Sequence, residues 1–303
     1  MGKNKLKKFN DMATMDCVFQ YPFGVLKESG FPMKGSWRRD YFHNDNPIVL
    51  ELGCGKGEYT VGLAERYPDR NFIGIDIKGA RMWTGACQVR ERGMKNAAFL
   101  RTNIELLPYF FAPDEVDEIW ITFPDPQMKK VNKRLTSARF LDSYREIAGP
   151  RGIVNLKTDS PFLYEFTKRI IALNDLELLE DSADLYAGQA AEPRSADKAE
   201  AAESESLRDA RAYRTAYERQ WLARGKKIKF LRFRLSPAAK AEAGAKAGCI
   251  RSLLTAHSPL SPIMNPEESD IEKDDYRAYP RFDQAKEAPV SQAEACEYKM
   301  KRP

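Results

Sequence analysis

Val49-Leu50-Glu51-Leu52-Gly53-Cys54-Gly55-Lys56-Gly57-Glu58 is the stretch on which the reading of this chain turns. An apolar run from Ile48 to Leu52 leads into three glycines at alternate positions, and a helical pattern starts at Glu58. A strand, a tight turn and a helix in that order open a nucleotide-binding α/β unit. The glycines admit φ > 0 and let a ligand come within contact distance of the backbone, which a Cβ would prevent. The spacing is G-x-G-x-G, so the third glycine of the dinucleotide fingerprint G-x-G-x-x-G falls on Glu58. A pyrophosphate is therefore not the favoured guest.

The neighbouring acids narrow the choice. Glu51 lies inside the strand just before the glycines, where a carboxylate meets a cationic ligand group. Asp76 ends the next apolar run, Phe72-Ile73-Gly74-Ile75-Asp76, at the spacing where an acid takes the two hydroxyls of a ribose. S-adenosylmethionine offers both groups and carries no phosphate. A lone glycine turn with a surface acid has a bland structural explanation, but Glu51, the glycines and Asp76 within one βαβ unit favour the ligand.

The chain has 303 residues, 43% of them hydrophobic, enough for one large domain or two small ones around a sizeable core. No window reaches the length of apolar sequence that a membrane span needs, and Met1-Gly2-Lys3-Asn4-Lys5-Leu6-Lys7-Lys8 has no apolar core to make it a signal peptide. A cytoplasmic protein is expected, with no membrane partner and a monomer favoured. The five cysteines, Cys17, Cys54, Cys87, Cys249 and Cys296, are scattered and contain no C-x-x-C pair, so neither a disulfide framework nor a zinc site follows. The two histidines, His43 and His257, sit in turn-like or tail segments, which argues against His-based acid/base chemistry and metal sites. The net charge of +5 is modest, so its distribution carries more information than its size.

Residues 1–46 read as a basic and aromatic extension, with Lys3, Lys5, Lys7, Lys8, Lys34, Arg38 and Arg39 among Phe9, Phe19, Tyr21, Phe23, Phe31, Trp37 and Tyr41. Such interleaving suits a phosphate backbone and unstacked bases. The aromatics read equally as a strap on the core. From 47 to 235 strands and helices alternate: strands Ile48 to Leu52, Phe72 to Asp76, Ala97 to Arg101, Glu118 to Phe123 and Ile153 to Thr158 are separated by helical patterns. This predicts a Rossmann-like α/β fold, a mostly parallel seven-stranded sheet with helices on both faces. Ligands on such sheets sit at the carboxyl ends of the strands, here Gly53, Asp76, Asn103, Asp125 and Asp159. A strand from Leu176 precedes an Ala/Glu/Ser/Asp-rich segment at about 187–211, which reads as an inserted mobile loop. The last strand lies within Gly225 to Leu235. Residues 236–303 lack periodicity and are expected to be a disordered tail.

The most specific stretch is Ile119-Trp120-Ile121-Thr122-Phe123-Pro124-Asp125-Pro126-Gln127-Met128-Lys129-Lys130-Val131-Asn132-Lys133-Arg134-Leu135. An apolar strand delivers a carboxylate held between two prolines, which restrict the backbone, and four cationic side chains follow. That is a rigid acid beside a phosphate clamp, preorganised to meet a base edge.

This loop, together with Leu50-Glu51-Leu52-Gly53-Cys54-Gly55-Lys56-Gly57, Lys157-Thr158-Asp159 and Thr215-Ala216-Tyr217-Glu218, resembles the bacterial tRNA (guanine-N7-)-methyltransferases over roughly residues 48–235. The resemblance implies methyl transfer from S-adenosylmethionine to N7 of a guanine in tRNA, the variable-loop guanine 46. It assigns the donor to Glu51, Gly53, Gly55, Gly57, Asp76, Asn103 and Asp125, and gives Asp125 the catalytic role. It assigns substrate to Lys129, Asp159, Thr215, Ala216, Tyr217 and Glu218, RNA contact to Val131, Asn132, Lys133, Arg134, Leu135 and Thr136, and no metal. The chain departs from the family's pattern at Gln127-Met128, where Trp-Pro or Trp-His is usual, and at Asn103, where Asp is frequent; Asn103 still exchanges hydrogen bonds with an adenine edge.

Guanine N7 is an in-plane lone pair without a proton, so attack on a sulfonium methyl needs alignment and no general base. Asp125 and Asp159 suit guanine N1–H and N2–H in either order, and Lys129 a phosphate or a base oxygen. Two rivals remain: a nucleic-acid-binding protein that keeps the fold without catalysis, opposed by the intact Pro-Asp-Pro loop, and a dinucleotide oxidoreductase, opposed by the absent third glycine.

Overall fold

The computed structural model of the chain describes residues 2–187, 204–237 and 261–274. It forms two compact units, residues 1–271 and 272–303, and every element described below belongs to the first. The leader contributes α1 (Gly2–Met12), the short strand β1 (Val18–Gln20), α2 (Phe23–Ser29) and a π-helical turn over Arg38–Phe42. Then come β2 (Ile48–Leu52), α3 (Glu58–Arg66), β3 (Asn71–Ile75), α4 (Gly79–Arg92), β4 (Ala97–Arg101) and the single turn α5 (Leu107–Phe110). The second half runs β5 (Glu118–Thr122), α6 (Ala138–Ala148), β6 (Ile153–Thr158), α7 (Pro161–Leu173), β7 (Leu176–Ser182), α8 (Glu205–Ala212), α9 (Ala216–Leu222) and β8 (Lys229–Pro237).

The strands form one eight-stranded sheet of order β1-β4-β3-β2-β5-β6-β8-β7, parallel except for β8, which runs antiparallel between β6 and β7. The family-like core of seven strands is as expected; the eighth is β1, which pairs with β4 through Val18↔Phe99 and Gln20↔Arg101. Three residues are too short to show a period of two, and their strand state comes from covering an otherwise open sheet edge. Every residue of β2 and β3 is buried, as parallel strands with helices on both faces require.

One face carries Leu50, Leu52, Ile73, Ile75, Ile119, Ile121, Val154 and Leu156, packed beneath α5, α6, α7 and the leader. There Trp37, wholly buried, stacks on Phe111 at 5.6 Å and donates Nε1–H to the Phe110 carbonyl at 3.0 Å. Phe19, Phe31 and Tyr41 pack edge-on or tilted around it, so the leader aromatics form a strap on the core. The opposite face lies under α3, α4, α8 and α9, with Tyr59 against Trp120 at 5.5 Å and Trp120 against Phe230 at 5.9 Å.

Two expectations change. The segment expected as a mobile loop ends in α8, whose Ser204 Oγ caps the Leu207 N–H and whose Ala210 is fully buried; the rest of that segment, 188–203, lies outside the described residues. The tail expectation fails over 261–271, where Ile263 and Ile271 enter the core; residues 238–260 and 275–303 lie outside the described residues. In both places low hydropathy concealed a few apolar anchors.

Candidate active site

Register aligns the strand ends: Leu52 pairs with Ile75 and with Ile121, and Thr122 with Lys157. Gly53, Asp76, Phe123 and Asp159 therefore leave the sheet along one edge. Strand order reverses between β2 and β5, which opens a crevice at their carboxyl ends. Gly53, Gly55 and Gly57 have φ of 75°, 56° and 75°. Gly53 N–H and Cys54 N–H both donate to the Ile75 carbonyl, at 2.8 and 3.0 Å, which ties the turn to β3. A Cβ placed on Gly53 meets nothing within 4 Å, and one on Gly55 only the Gly53 carbonyl at 3.9 Å, so both glycines line open space that a side chain would fill. Gly57 differs from the reading that grouped all three at the ligand: a Cβ there would stand 2.6 Å from the Phe99 ring, so this glycine lets α3 pack tightly.

Both oxygens of Asp76 are oriented by backbone, Oδ2 accepting from Gly55 N–H at 3.0 Å and Oδ1 from Lys78 N–H at 2.7 Å. Each oxygen keeps a further lone pair for a hydroxyl. Ile77 follows at once and is 53% exposed, an apolar surface at the same edge that the sequence reading missed; the signal was an apolar residue directly after a strand-end acid. Asn103 is exposed beyond β4, at the cap position of a 3-10 turn over Ile104–Leu106 that its side chain does not cap.

Glu51 is buried behind the glycines. Its Oε2 accepts from Thr60 N–H at 2.9 Å and from Thr60 Oγ1, and its Oε1 from Thr122 Oγ1 at 3.3 Å, which ties β2 to α3 and β5. Burial pushes its carboxyl up to about 7 against the pull of those hydrogen bonds. The open cradle at Gly53 and Gly55, the pre-aimed Asp76 and the acid behind them fit S-adenosylmethionine, which is cationic at sulfur and carries a free ribose.

Across the crevice, β5 ends in the Pro124-Asp125-Pro126 loop. Phe123 and Gln127, flanking it, have φ of 49° and 48°, a left-handed conformation that costs of order 1–3 kcal/mol per residue and persists only where the surroundings impose it. They do so here. Phe123 N–H donates to the Lys157 carbonyl at 2.8 Å, and its ring meets Tyr217 at 5.3 Å. Asp125 is exposed, with Oδ1 accepting from Gln127 N–H at 2.9 Å. Asp159 is buried at the end of β6. The Tyr217 hydroxyl is raised first by burial, then by the Asp159 carboxylate and, more weakly, by Asp125, so α9 brings Tyr217 within electrostatic reach of both acids. Gln127, where the family's usual Trp is absent, is half-buried, and Met128 after it is buried in the core.

The model of a family described as putative methyltransferase matches residues 45–231. A tRNA (guanine-N(7)-)-methyltransferase of Bacteroides thetaiotaomicron is 46% identical over 93% of this chain and 96% of its own. One of Porphyromonas gingivalis is 57% identical over 74% of this chain and 86% of its own. This chain belongs to the tRNA (guanine-N(7)-)-methyltransferase family. The solved structure of the 16S rRNA methyltransferase KamB aligns at a TM-score of 0.48 and 15% identity, over 67% of this chain and 92% of that one.

In this family member the segment after the loop divides by burial. Lys129, Lys130, Asn132 and Lys133 are exposed, while Val131 and Leu135 lean on the core. Arg134 and Thr136, expected to touch RNA, are fully buried: Thr136 shares a hydrogen bond of 2.8 Å with Thr167, and Arg134 binds backbone carbonyls of the loop. Only a tertiary neighbour could have revealed this, since both lie in a run of polar residues. Of the four residues Thr215 to Glu218, Thr215 caps α9, Ala216 N–H donates to the Glu58 carboxylate, and Glu218 is wholly buried. Glu218 pairs with Lys157 at 2.7 Å and accepts from the Tyr186 hydroxyl at 2.6 Å. Burial lowers Lys157 to about 8 in spite of that partner. Tyr217 is the member of the four on which Asp159 and Asp125 act electrostatically. Among the described residues no His/Cys/Asp/Glu group is arranged to hold a metal ion, and no helix is long and apolar enough to cross a membrane.

Proposed function

We propose that this methyltransferase moves a methyl group from S-adenosylmethionine to N7 of a guanine in tRNA, the variable-loop guanine 46 by family resemblance, in the cytoplasm. One observation carries the reading: an open glycine cradle with a pre-aimed ribose acid shares the strand-end edge with a strained loop that presents Asp125, and Asp125 and Asp159 both act on Tyr217. The names of the relatives supply the tRNA and the position on guanine.

When bound, S-adenosylmethionine supplies an electrophilic methyl group on a sulfonium. Asp76 holds the ribose hydroxyls, Gly53 and Gly55 leave room for the donor against the backbone, and Glu51 stands behind them as the acid nearest a cationic end. Asp125 and Asp159 accept from the guanine N1–H and N2–H and set N7 in line with the methyl. Tyr217 offers a ring beside the base, and Lys129 a cation for phosphate or a base oxygen. N7 carries no proton, so no side chain has to remove one, in keeping with a chain that has two histidines.

Incubation with total tRNA and labelled donor, followed by nucleoside analysis, is expected to yield 7-methylguanosine. Asp125→Ala should abolish it while leaving the fold intact, because Asp125 is exposed and supports no core packing. Label confined to another nucleoside, or an Asp125→Ala variant with wild-type turnover, would overturn the reading.

A further inference from the structure

We propose that residues 261–271 are a working part of the active site, in which Glu268 positions Arg134 and Arg134 in turn positions the loop that carries Asp125. The proposal rests on the reading that Asp125 is catalytic.

Arg134 is fully buried, its guanidinium 4.6 Å from the Phe162 ring centre and 4.5 Å from that of Phe166. Its Nε–H donates to the Pro126 carbonyl at 3.1 Å, and Nη2–H to the carbonyls of Gln127 at 3.3 Å and Met128 at 3.2 Å. Three successive carbonyls immediately after Asp125 thus point at one cation. That cation holds the chain just where Gln127 has its left-handed φ of 48°. An arginine does not shed its proton on burial, so the site needs a counter-charge. Glu268 supplies it, with Oε2 at 2.8 Å from Nη2. Nη1 has no hydrogen-bond partner among the described residues, so loss of Glu268 would leave the buried charge to the three carbonyls and the two phenyl rings.

The strap that delivers Glu268 is seated along α6 and α7. Arg145 donates to the Ser261 carbonyl at 3.0 Å, Ile263 N–H to Asp142 at 3.2 Å, and Met264 exchanges two hydrogen bonds with Asn174. Asn265 Oδ1 accepts from Ala138 N–H at 2.9 Å, satisfying a first-turn donor of α6 that its own cap residue Ser137 leaves to others. Ile263 and Ile271 anchor the strap in the core on either side of Glu268. Without the carboxylate, Arg134 gains by turning to water, the three carbonyls lose their donor, and the strained loop relaxes. Asp125 then sits off its aligned position, which costs turnover more than binding.

In the full-length protein, Glu268→Ala is expected to lower kcat by roughly ten- to a hundred-fold with donor affinity unchanged, and Glu268→Gln, which keeps an acceptor of the same reach, to recover part of the loss. Because Glu268 acts through Arg134, adding Glu268→Ala to Arg134→Ala should cost nothing further. Wild-type kcat in folded Glu268→Ala, whatever its melting temperature, overturns the proposal, as does an undiminished effect in the Arg134→Ala background. Should Glu268→Ala fail to fold, Glu268→Gln carries the same two criteria. Asp125→Ala assayed alongside separates the two readings: if it is inactive while Glu268→Ala is not, the strap proposal alone falls, and if it is active, the site reading falls.

Discussion

Asp76 and Glu51 are both acids at the end of β2 or β3, yet burial gives them different physics. Asp76 is half-exposed and aimed by two backbone N–H groups, which suits the ligand-accepting role proposed for it. Losing two charge-assisted hydrogen bonds costs about 1.5–3 kcal/mol, roughly ten- to a hundred-fold in affinity. Asp76→Ala should therefore weaken S-adenosylmethionine and its demethylated product alike in binding titrations; tight NAD binding dependent on Asp76, with no binding of the methyl donor, would reverse the assignment. Glu51 is enclosed, and its carboxyl is held up to about 7 from an ordinary 4.5, first by burial. The unfolded chain then releases this proton near 4.5 while the folded chain keeps it to about 7, so in that window the unfolded state binds fewer protons. Stability contributed by the neutral acid is complete below 4.5 and is lost as pH rises to about 7, by about 3 kcal/mol at most. Urea unfolding of wild type and Glu51→Gln across this range checks it: the wild type should lose stability relative to the variant as pH rises, and parallel curves would refute the assignment.

At the scale of the element, the loop after β5 is one chain segment whose cations divide between solvent and core. Its exposed cations, Lys129, Lys130 and Lys133, face solvent beside the crevice, whereas Arg134 faces inward. Neutralising two of the three lysines should weaken tRNA binding and reduce its salt dependence by about one slope unit per lost phosphate contact, with donor affinity barely changed. A salt series with an unchanged slope would assign them to an idle solvated surface. The same segment explains why burial and charge pattern must be read together: four cations in six residues, Lys129 to Arg134, look equivalent in sequence, and a short 3-10 turn over Val131–Lys133 rotates the fourth into the core.

For the whole molecule, the leader is structural as much as it is basic. It supplies the edge strand β1 and the Trp37 cluster, which covers one face of the sheet. Trp37→Ala removes a wholly buried indole and its hydrogen bond to Phe110, and should cost about 3–5 kcal/mol in urea unfolding. Removal of residues 1–46 exposes the β4 edge and that apolar face together, so the truncated chain should lose its cooperative transition and near-UV circular dichroism. A truncated chain that melts like the full one would show the leader to be dispensable.

The alternation of apolar runs with helical patterns by itself determined the parallel core, because strands buried on both faces are written as continuous apolar runs such as Ile48 to Leu52. The same local rules placed Gly53, Asp76, Asn103, Asp125 and Asp159 at strand ends, since each ends a run. The burial of an individual polar side chain was not legible, because it depends on what packs over it from far along the chain. Gly57 reads like Gly53 until Phe99 is beside it. Glu218 reads as a substrate residue until Lys157 lies under it, and Arg134 as a phosphate ligand until Glu268, 134 residues away, closes on it. Backbone state follows from neighbours in sequence, whereas the sign and use of a charge follow from neighbours in space, and only the folded chain supplies those.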